Sequence, residues 1–256
     1  MLSALVDIAT DEGRLACALS AMRLAQCVVQ ARGPEDSPLM QLPGVERAAA
    51  KRITEALAAA SSTLGTPPLL ALAALKPKAA IELLRRVLPN QRAAEQAAAV
   101  ACALPRVRVQ WRVTSVDDDG AATDGAVHAE GGDGGASGKS GAAGGAPWAP
   151  LAPDHTCKLH VVLSAQDRAE SKVHTPPQWS RPKTHAWWLL LSHPATDDIL
   201  ALKRVGSIPS GARRPCTHTL LFDAPECTGA HELVLRVVSD AAMGLDRELS
   251  VDVQVS

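Results

Sequence analysis

The feature that most constrains the fold is a change of apolar period at Pro105. Before it, apolar residues recur at the three- and four-residue spacing of amphipathic helices; after it, they alternate at every second position. The alternating segment is RVRVQWRV (106–113), with apolar Val107, Val109, Trp111 and Val113 and polar Arg106, Arg108, Gln110 and Arg112. Such alternation is typical of a strand with one buried face. We therefore predict a helical part, 1–104, joined to a β part, 105–256.

The helical part is predicted to hold several helices separated by glycine and proline, the residues that end helices most often. The predicted breaks are Gly13, Gly33-Pro34, the turn Pro43-Gly44, the loop 61–68, Pro77 and Pro89. In residues 1–30 the apolar stripes look wide enough to need a packing partner, so we expect an exposed apolar patch there. The stripes consist of Leu2, Leu5, Val6, Leu15, Leu19, Met22 and Val29.

The β part is predicted to be an antiparallel sandwich, because it holds seven short apolar runs bounded by turn residues. The predicted strands are 106–113, 157–163, 187–191, 199–205, 216–222, 233–238 and 248–255, with a tight turn at Ser239–Asp246. A Gly/Ala-rich insertion, 116–147, interrupts this part and contains ten of the chain's 18 glycines. Its composition predicts disorder, since it offers little apolar surface to bury. Gly138-Lys139-Ser140 within it resembles the end of a phosphate loop, but Asp133 stands where that motif needs glycine.

Composition excludes several classes of protein. The net charge of −1 gives no general attraction to nucleic acid or membrane, so a basic surface must be local. No apolar run is long enough to span a bilayer, and Asp7, Asp11 and Glu12 stand where a signal peptide is apolar. Six cysteines without a CxxC pair favour reduced thiols in a long chain. We therefore expect an intracellular protein of the nucleus or cytoplasm with no membrane partner.

One short motif points to nucleic acid. Leu42-Pro43-Gly44-Val45 followed by Ala50-Lys51-Arg52-Ile53 resembles a helix-hairpin-helix, in which a glycine turn presents backbone amides to a phosphate. The candidate nucleic-acid-binding residues are Pro43, Gly44, Val45, Arg47, Lys51 and Arg52. An ordinary turn beside a solvated basic face explains the same residues.

Two further patterns suggest interfaces. The arginine face of 106–113, with Lys203-Arg204 and Arg213-Arg214, is a candidate nucleic-acid patch, although a solvated outer face fits it better. Trp187 and Trp188 are predicted to point to opposite faces of their strand, one into the core. The other is a candidate anchor for a protein partner, together with Lys203 and Arg204, unless a loop covers it.

No catalytic, cofactor or metal site is evident in the sequence. Cys216 and His218 share a strand face, but a zinc site needs a second pair of ligands. Asp197-Asp198 follows His193-Pro194 in a predicted turn, where aspartate has a backbone role. We predict neither enzymatic activity nor a cofactor for this chain.

A family resemblance joins these observations. Trp187-Trp188, the runs ALKRVG (201–206) and SDAAMGLD (239–246), and the helical text of 5–45 resemble the carboxy-terminal Sec-sixty-three-type module of large superfamily-two RNA helicases. Within that family, 201–206 and 239–246 are most similar to the branch of the activating signal cointegrator complex, and next to the spliceosomal U5 branch. The resemblance covers nearly the whole chain outside 116–147.

The resemblance implies an α+β multidomain fold. It predicts the remnant of a helical bundle and a helix-loop-helix element, followed by a seven-stranded immunoglobulin-like (fibronectin type III-like) β-sandwich. The phosphate loop, DExH box and arginine finger of the family's motor do not occur in these 256 residues, and that motor would precede Met1. The implied function is a non-catalytic regulatory and scaffolding module whose partners are helicase motor domains, in cis or in trans, and proteins of a helicase-containing complex. The alternatives are a stand-alone protein-interaction module and a protein that binds single-stranded RNA or DNA through the Pro43-Gly44 hairpin.

Overall fold

A computed structural model describes residues 1–60, 66–115, 128–129, 150–165, 172–177, 179, 182–208 and 215–256. Most of the predicted insertion 116–147 lies outside these residues, as do Gly138-Lys139-Ser140 and Arg213-Arg214. Of the insertion, only the backbone of His128–Ala129 is described, and it forms a two-residue strand against the strand that follows Pro105.

The described residues before Pro105 form helices, as predicted. The helices are α1 (Leu2–Asp11), α2 (Leu15–Gln30), a short 3₁₀ helix (Pro38–Gln41), α3 (Arg47–Ala60), α4 (Pro68–Ala74), α5 (Pro77–Arg85) and α6 (Gln91–Ala103). Gly13 separates α1 from α2 in a left-handed conformation, with φ of +66°, which glycine adopts without a steric penalty. Prolines stand at the first position of α4 and α5, where their missing N–H leaves no bond unmade. Among the described helices, none is both long and apolar enough to cross a membrane.

The β part forms two four-stranded antiparallel sheets, so the fold is α+β. The strands are β1 (Val107–Ser115), β2 (His128–Ala129), β3 (Thr156–Ala165), β4 (Trp187–His193), β5 (Asp198–Val205), β6 (Cys216–Asp223), β7 (Gly229–Ser239) and β8 (Arg247–Val255). The first sheet has the order β2-β1-β3-β6 and the second β5-β4-β7-β8. Each of the seven predicted strands is present, and β2 is an addition to them.

The inner faces of the two sheets share one apolar core. Val109 of β1 and Leu159 of β3 lie in the same buried cluster as Leu189 of β4 and Leu235 of β7. Residues of α3 to α6 belong to that cluster too, so the helical part and the β part are packed together rather than joined by a free linker. Burial of this continuous apolar surface is the main stabilising contribution.

The outer face of the second sheet is covered by α1 and α2. Trp188, Leu190 and Val238 on this face form a second buried cluster with Val6 of α1 and Met22 of α2. The order of layers is therefore first sheet, second sheet and helical hairpin. The expectation that residues 1–30 lack a packing partner within this chain is wrong on this side of the helices.

The segment between β7 and β8 is a buried loop, 239–246, rather than a simple exposed turn. Its Ala241, Ala242 and Met243 are fully buried. Three glutamine side chains from the helical part bind it. Gln26 Nε2 donates to Ser239 O at 2.9 Å, Gln30 Nε2 to Ala241 O at 2.8 Å and Gln41 Nε2 to Met243 O at 2.7 Å. These bonds pair backbone groups that would otherwise be buried without partners.

Candidate nucleic-acid and protein interfaces

The predicted hairpin 43–52 is present as a glycine turn followed by a helix. Gly44 has φ of +70°, a left-handed conformation that other residues adopt only with strain. The Val45 N–H donates to Leu42 O at 3.2 Å, and the Val45 side chain is only 2% exposed. Pro43 precedes the turn at its half-buried edge. The turn follows the 3₁₀ helix Pro38–Gln41 and precedes α3, and Val45 anchors it rather than facing a ligand.

Two of the three candidate cations of the hairpin are bound within the chain. Arg47 forms an ion pair with Asp36 at 2.8 Å. The Gly33 N–H and the Arg47 guanidinium both hold the pKa of Asp36 below its usual value, since each stabilises the carboxylate. The guanidinium of Arg52 donates to the carbonyl oxygens of Arg86, at 2.9 Å, and Val87, at 3.4 Å, just after α5 ends. Such bonds supply donors to carbonyls that a helix end leaves unpaired.

Of the three candidate cations, Lys51 is the least bonded to other residues of the described chain. It is exposed and forms no ion pair with any residue of the described chain. An exposed ammonium on a flexible stem can approach a phosphate without breaking an internal bond. Lys51 is therefore the residue of this hairpin whose charge is most available to a ligand.

The structure brings a second element to the hairpin, the turn between α5 and α6. A Cβ atom placed on Gly44 would lie 3.8 Å from the Cβ of Ala93, and Arg52 reaches the carbonyls at 86–87. Arg86 and Arg92 are exposed on this turn. Sequence reasoning missed them because they lie some 40 residues from the motif. The only available signal was a pair of arginines on either side of the Pro89 break.

The arginine face of β1 points outward, as its alternation predicts. Arg108 is exposed and Arg112 half-buried, whereas Val107, Val109 and Trp111 are buried. Arg112 lies in register with His160 of β3, which contacts Thr114 and Thr219 across three strands. Burial lowers the pKa of His160, and the charges of Arg112 and Lys158 lower it further. This face therefore carries fixed positive charge beside a histidine whose pKa is lowered.

The expectation of an exposed tryptophan anchor is wrong. Trp187 and Trp188 do point to opposite faces of β4, but each is only 1% exposed. Trp187 lies in the core between the sheets, and Trp188 lies under α1 and α2. Helices, rather than a loop, cover the second ring. Neither tryptophan is available to a partner in this conformation.

Lys203 and Arg204 are exposed, yet both make bonds inside the chain. Lys203 Nζ donates to Thr219 O at 3.0 Å, which ties β5 of the second sheet to β6 of the first. Arg204 lies 5.9 Å from the centre of the Trp188 ring and donates to Asp240 Oδ2 at 3.0 Å. Asp240 also accepts from Lys183 Nζ at 2.8 Å. The charges of Lys203 and Arg204 are thus partly used in bonds that hold the second sheet to β6 and to the loop 239–246.

A buried histidine lies beside this ion pair. His185 is 2% exposed, and burial lowers its pKa to about 4, against the opposing effect of the Asp240 charge. Since burial penalises the charged imidazolium, His185 is neutral at physiological pH. Elsewhere, Cys216 and His218 lie on one strand, but the described residues contain no group of three or more potential metal ligands.

Exposed apolar side chains are concentrated on the outer side of α1 and α2. Six large hydrophobic residues of the described chain are exposed, and five of them are in the first 28 residues. The five are Met1, Leu5 (47% exposed), Ile8 (55%), Leu24 (46%) and Val28 (49%); the sixth is Leu221 (58%) on β6. Residues 1–30 therefore do carry exposed apolar side chains, but the predicted set is mostly wrong: Val6, Leu15, Met22 and Val29 are buried, and only Leu5 of the predicted stripes is exposed.

The architecture defines a class: a helical unit with a glycine hairpin packed against two antiparallel sheets. Comparison with known families assigns the chain more closely. The profile of the Sec63 Brl domain matches residues 1–252, and the chain belongs to this family.

The relatives include helicases much longer than this chain. The chain is 26% identical to the human U5 small nuclear ribonucleoprotein 200 kDa helicase over 258 aligned residues, which is 100% of this chain and 10% of the relative. It is 23% identical to the Arabidopsis thaliana DExH-box ATP-dependent RNA helicase DExH14, over 98% of this chain and 9% of that protein. Human activating signal cointegrator 1 complex subunit 3 is 31% identical over 80 residues, which is 31% of this chain and 4% of the relative. Both branches named by the sequence resemblance are thus among the relatives, and the chain spans about a tenth of the length of those it matches throughout.

Proposed function

We propose that the chain is a non-catalytic regulatory and scaffolding module of a superfamily-two RNA/DNA helicase. It packs on helicase motor domains, in cis or in trans, and offers its β part to protein partners of a helicase-containing complex. The observation that carries the proposal is the exposed apolar side of α1 and α2, which with Met1 before α1 holds five of the six large exposed hydrophobics of the described chain. Large exposed apolar side chains concentrated on neighbouring helices mark a candidate interface.

We propose further that the two sheets are an immunoglobulin-like, fibronectin type III-like sandwich. Their support is the antiparallel pairing, the two four-stranded sheets and the shared apolar core between them. Such a sandwich is a rigid support that holds loops and helices in fixed positions. In this chain it holds α1 and α2 with their apolar side outward.

The docking proposal is tested with the ATPase motor of a Sec63-containing helicase from the same organism. Leu5 and Leu24 are each about half exposed, so burying the rest of each side chain contributes roughly 1 kcal/mol. Leu5→Ser with Leu24→Ser should therefore raise the Kd for the motor about 30-fold, or about 2 kcal/mol. Leu221→Ser, an exposed leucine on the far sheet, is the matched control. Calorimetric titration measures the three affinities.

The results distinguish docking on a helicase motor from a stand-alone interaction module. Equal affinity of the wild type and the double variant would show that α1 and α2 do not form the contact. Absence of binding by the wild type would favour the stand-alone interaction module. The genomic sequence upstream of Met1 gives an independent test, because a motor in the same reading frame would place the two in one polypeptide.

We propose nucleic-acid contact by the hairpin 43–52 as a second function. Its support is the left-handed Gly44 turn and the exposed, unpaired charge of Lys51 among the described residues. Lys51→Gln is the cleanest test, since Gly44→Val would add backbone strain and Arg52→Ala would remove bonds to α5. We expect Lys51→Gln to weaken binding of single-stranded RNA or DNA and to reduce the salt slope by about 0.7, the value for one phosphate contact. Equal affinity in 50 mM salt would exclude this role.

A further inference from the structure

We infer that Arg86 and Arg92, on the turn between α5 and α6, form the second half of a phosphate-binding surface whose first half is the hairpin 43–52. A single strand of nucleic acid would cross both turns. The inference rests on the proposed nucleic-acid contact of the hairpin and names further residues of that site.

The two turns are held side by side by direct contacts. Arg52 of α3 donates to the carbonyl oxygens of Arg86 and Val87, and the Gly44 turn lies against Ala93 at the start of α6. Ile53 of α3 and Leu88 of the second turn are buried in one apolar cluster. The second turn therefore has a fixed position relative to the first, as a preformed binding surface requires.

The combined surface is positive although the chain as a whole is negative. Segments 42–55 and 85–95 contain six arginines and lysines against three glutamates, whereas the net charge of the chain is −1. Arg47 is compensated by Asp36, and Glu95 accepts a bond from Gln91 at 2.7 Å. Lys51, Arg85, Arg86 and Arg92 thus remain as exposed cations beside the exposed Glu46 and Glu55, and a polyanion is the partner that such an excess of positive charge attracts.

The position of Arg92 argues for a binding role rather than a structural one. It lies in the first turn of α6, where the helix dipole disfavours positive charge by roughly 0.3–1 kcal/mol. Asn90 already caps this helix, because its side chain accepts from the Ala93 N–H at 2.8 Å. Arg86 differs, since a cation at the carboxy-terminal end of α5 is stabilised by the dipole of α5. Arg92 is therefore the more diagnostic of the pair.

The chemistry of the surface also predicts how it binds. Residues 1–104 contain no Phe, Trp, Tyr or His, so the surface has no ring on which a base could stack. Contacts to phosphates are then the main attraction. We expect little preference among sequences and a strong dependence of the affinity on salt.

The test compares the whole chain with Arg86→Gln/Arg92→Gln, Lys51→Gln and Arg108→Gln/Arg112→Gln on a labelled single-stranded oligonucleotide in 0.05–0.5 M salt. Each lost phosphate contact should reduce the slope of the logarithm of the binding constant against the logarithm of the salt concentration by about 0.7. With the affinities at 1 M salt taken as equal, the loss of two contacts should weaken binding at 0.1 M salt about 25-fold. The Arg108/Arg112 pair removes the same charge from the outer face of β1 and should leave the affinity nearly unchanged.

Each result of this experiment tests a different claim. A specific loss with Arg86→Gln/Arg92→Gln and a shallower slope support the inference. Loss with Lys51→Gln alone would overturn the inference and leave the hairpin proposal standing. Equal losses in both double variants would show general charge attraction instead of a site. Failure of the wild type to bind would remove the hairpin proposal and the inference together.

Discussion

Gly244, in the buried loop 239–246, provides the sharpest test of how the helical part is joined to the sheets. Its φ of +75° is left-handed, and a Cβ atom added there would lie 2.7 Å from Pro38 Cβ and 2.9 Å from Pro38 Cγ. The proline ring cannot rotate away, so the loop or the 3₁₀ helix must shift. We expect Gly244→Ala to cost roughly 1 kcal/mol from the left-handed backbone. Overpacking adds roughly 1–3 kcal/mol.

Gly13→Ala is the matched control for the backbone contribution. Gly13 has a similar φ of +66°, but an added Cβ atom would meet nothing within 4 Å. Urea unfolding should therefore show a loss of about 1 kcal/mol for Gly13→Ala and about 2–4 kcal/mol for Gly244→Ala. Adding Pro38→Gly to Gly244→Ala should recover the difference in a double-mutant cycle. Equal losses for the two alanine variants, with no coupling to Pro38, would refute the close contact as a constraint.

Two further changes test the buried polar groups. The pKa of His185 is about 4 in the folded state and 6.5 in the unfolded chain, so the unfolded state binds the proton first as the pH falls. The free energy of unfolding should therefore fall by about 3 kcal/mol as the pH drops from above 6.5 to about 4. His185→Gln should flatten that loss in urea titrations at pH 7.5 to 4.5, whereas His174→Gln, an exposed control, should keep it. Gln41→Leu leaves the N–H and C=O of Met243 unpaired and should cost about 2–4 kcal/mol in the same assay. A cost below 0.5 kcal/mol, roughly that of the exposed Gln91→Leu, would contradict the role assigned to Gln41.

The elements of the fold could be predicted because their signals are local. The change of period at Pro105 places the first strand, and the alternation in 106–113 gives the correct buried face. Turn residues and apolar runs located the remaining six strands to within about four residues at their ends. The short β2 could not be found, since two residues paired with β1 carry no periodic signal.

Contacts between distant segments could not be predicted in the same way. The alternation of strand side chains correctly predicted that Trp187 and Trp188 lie on opposite faces, but nothing near them in the sequence indicates that α1 and α2 cover the ring of Trp188. The charges of the hairpin show the same limit. Arg47 forms an ion pair with Asp36, and Arg52 donates to a carbonyl oxygen at the end of α5. Counting the cations in the sequence therefore overstated the charge that is available to a phosphate.

One of the segments that carry the family resemblance, the loop 239–246, has a structural role, and this directs where binding surfaces are to be sought. In the loop 239–246, the Ser239 hydroxyl accepts from the Ala242 N–H, the Asp246 carboxylate accepts from Gln26 and from the Ser239 N–H, and Asp240 accepts from two cations. Since these polar groups are bonded inside the chain, the loop shows how the helical part and the sheets are held together, and it has little left to offer a ligand. Partners must instead be met by exposed side chains whose bonding capacity is unused. In the described chain such side chains include the apolar residues on the outer side of α1 and α2 and the cations around the hairpin and the α5–α6 turn, the two surfaces proposed above for partners.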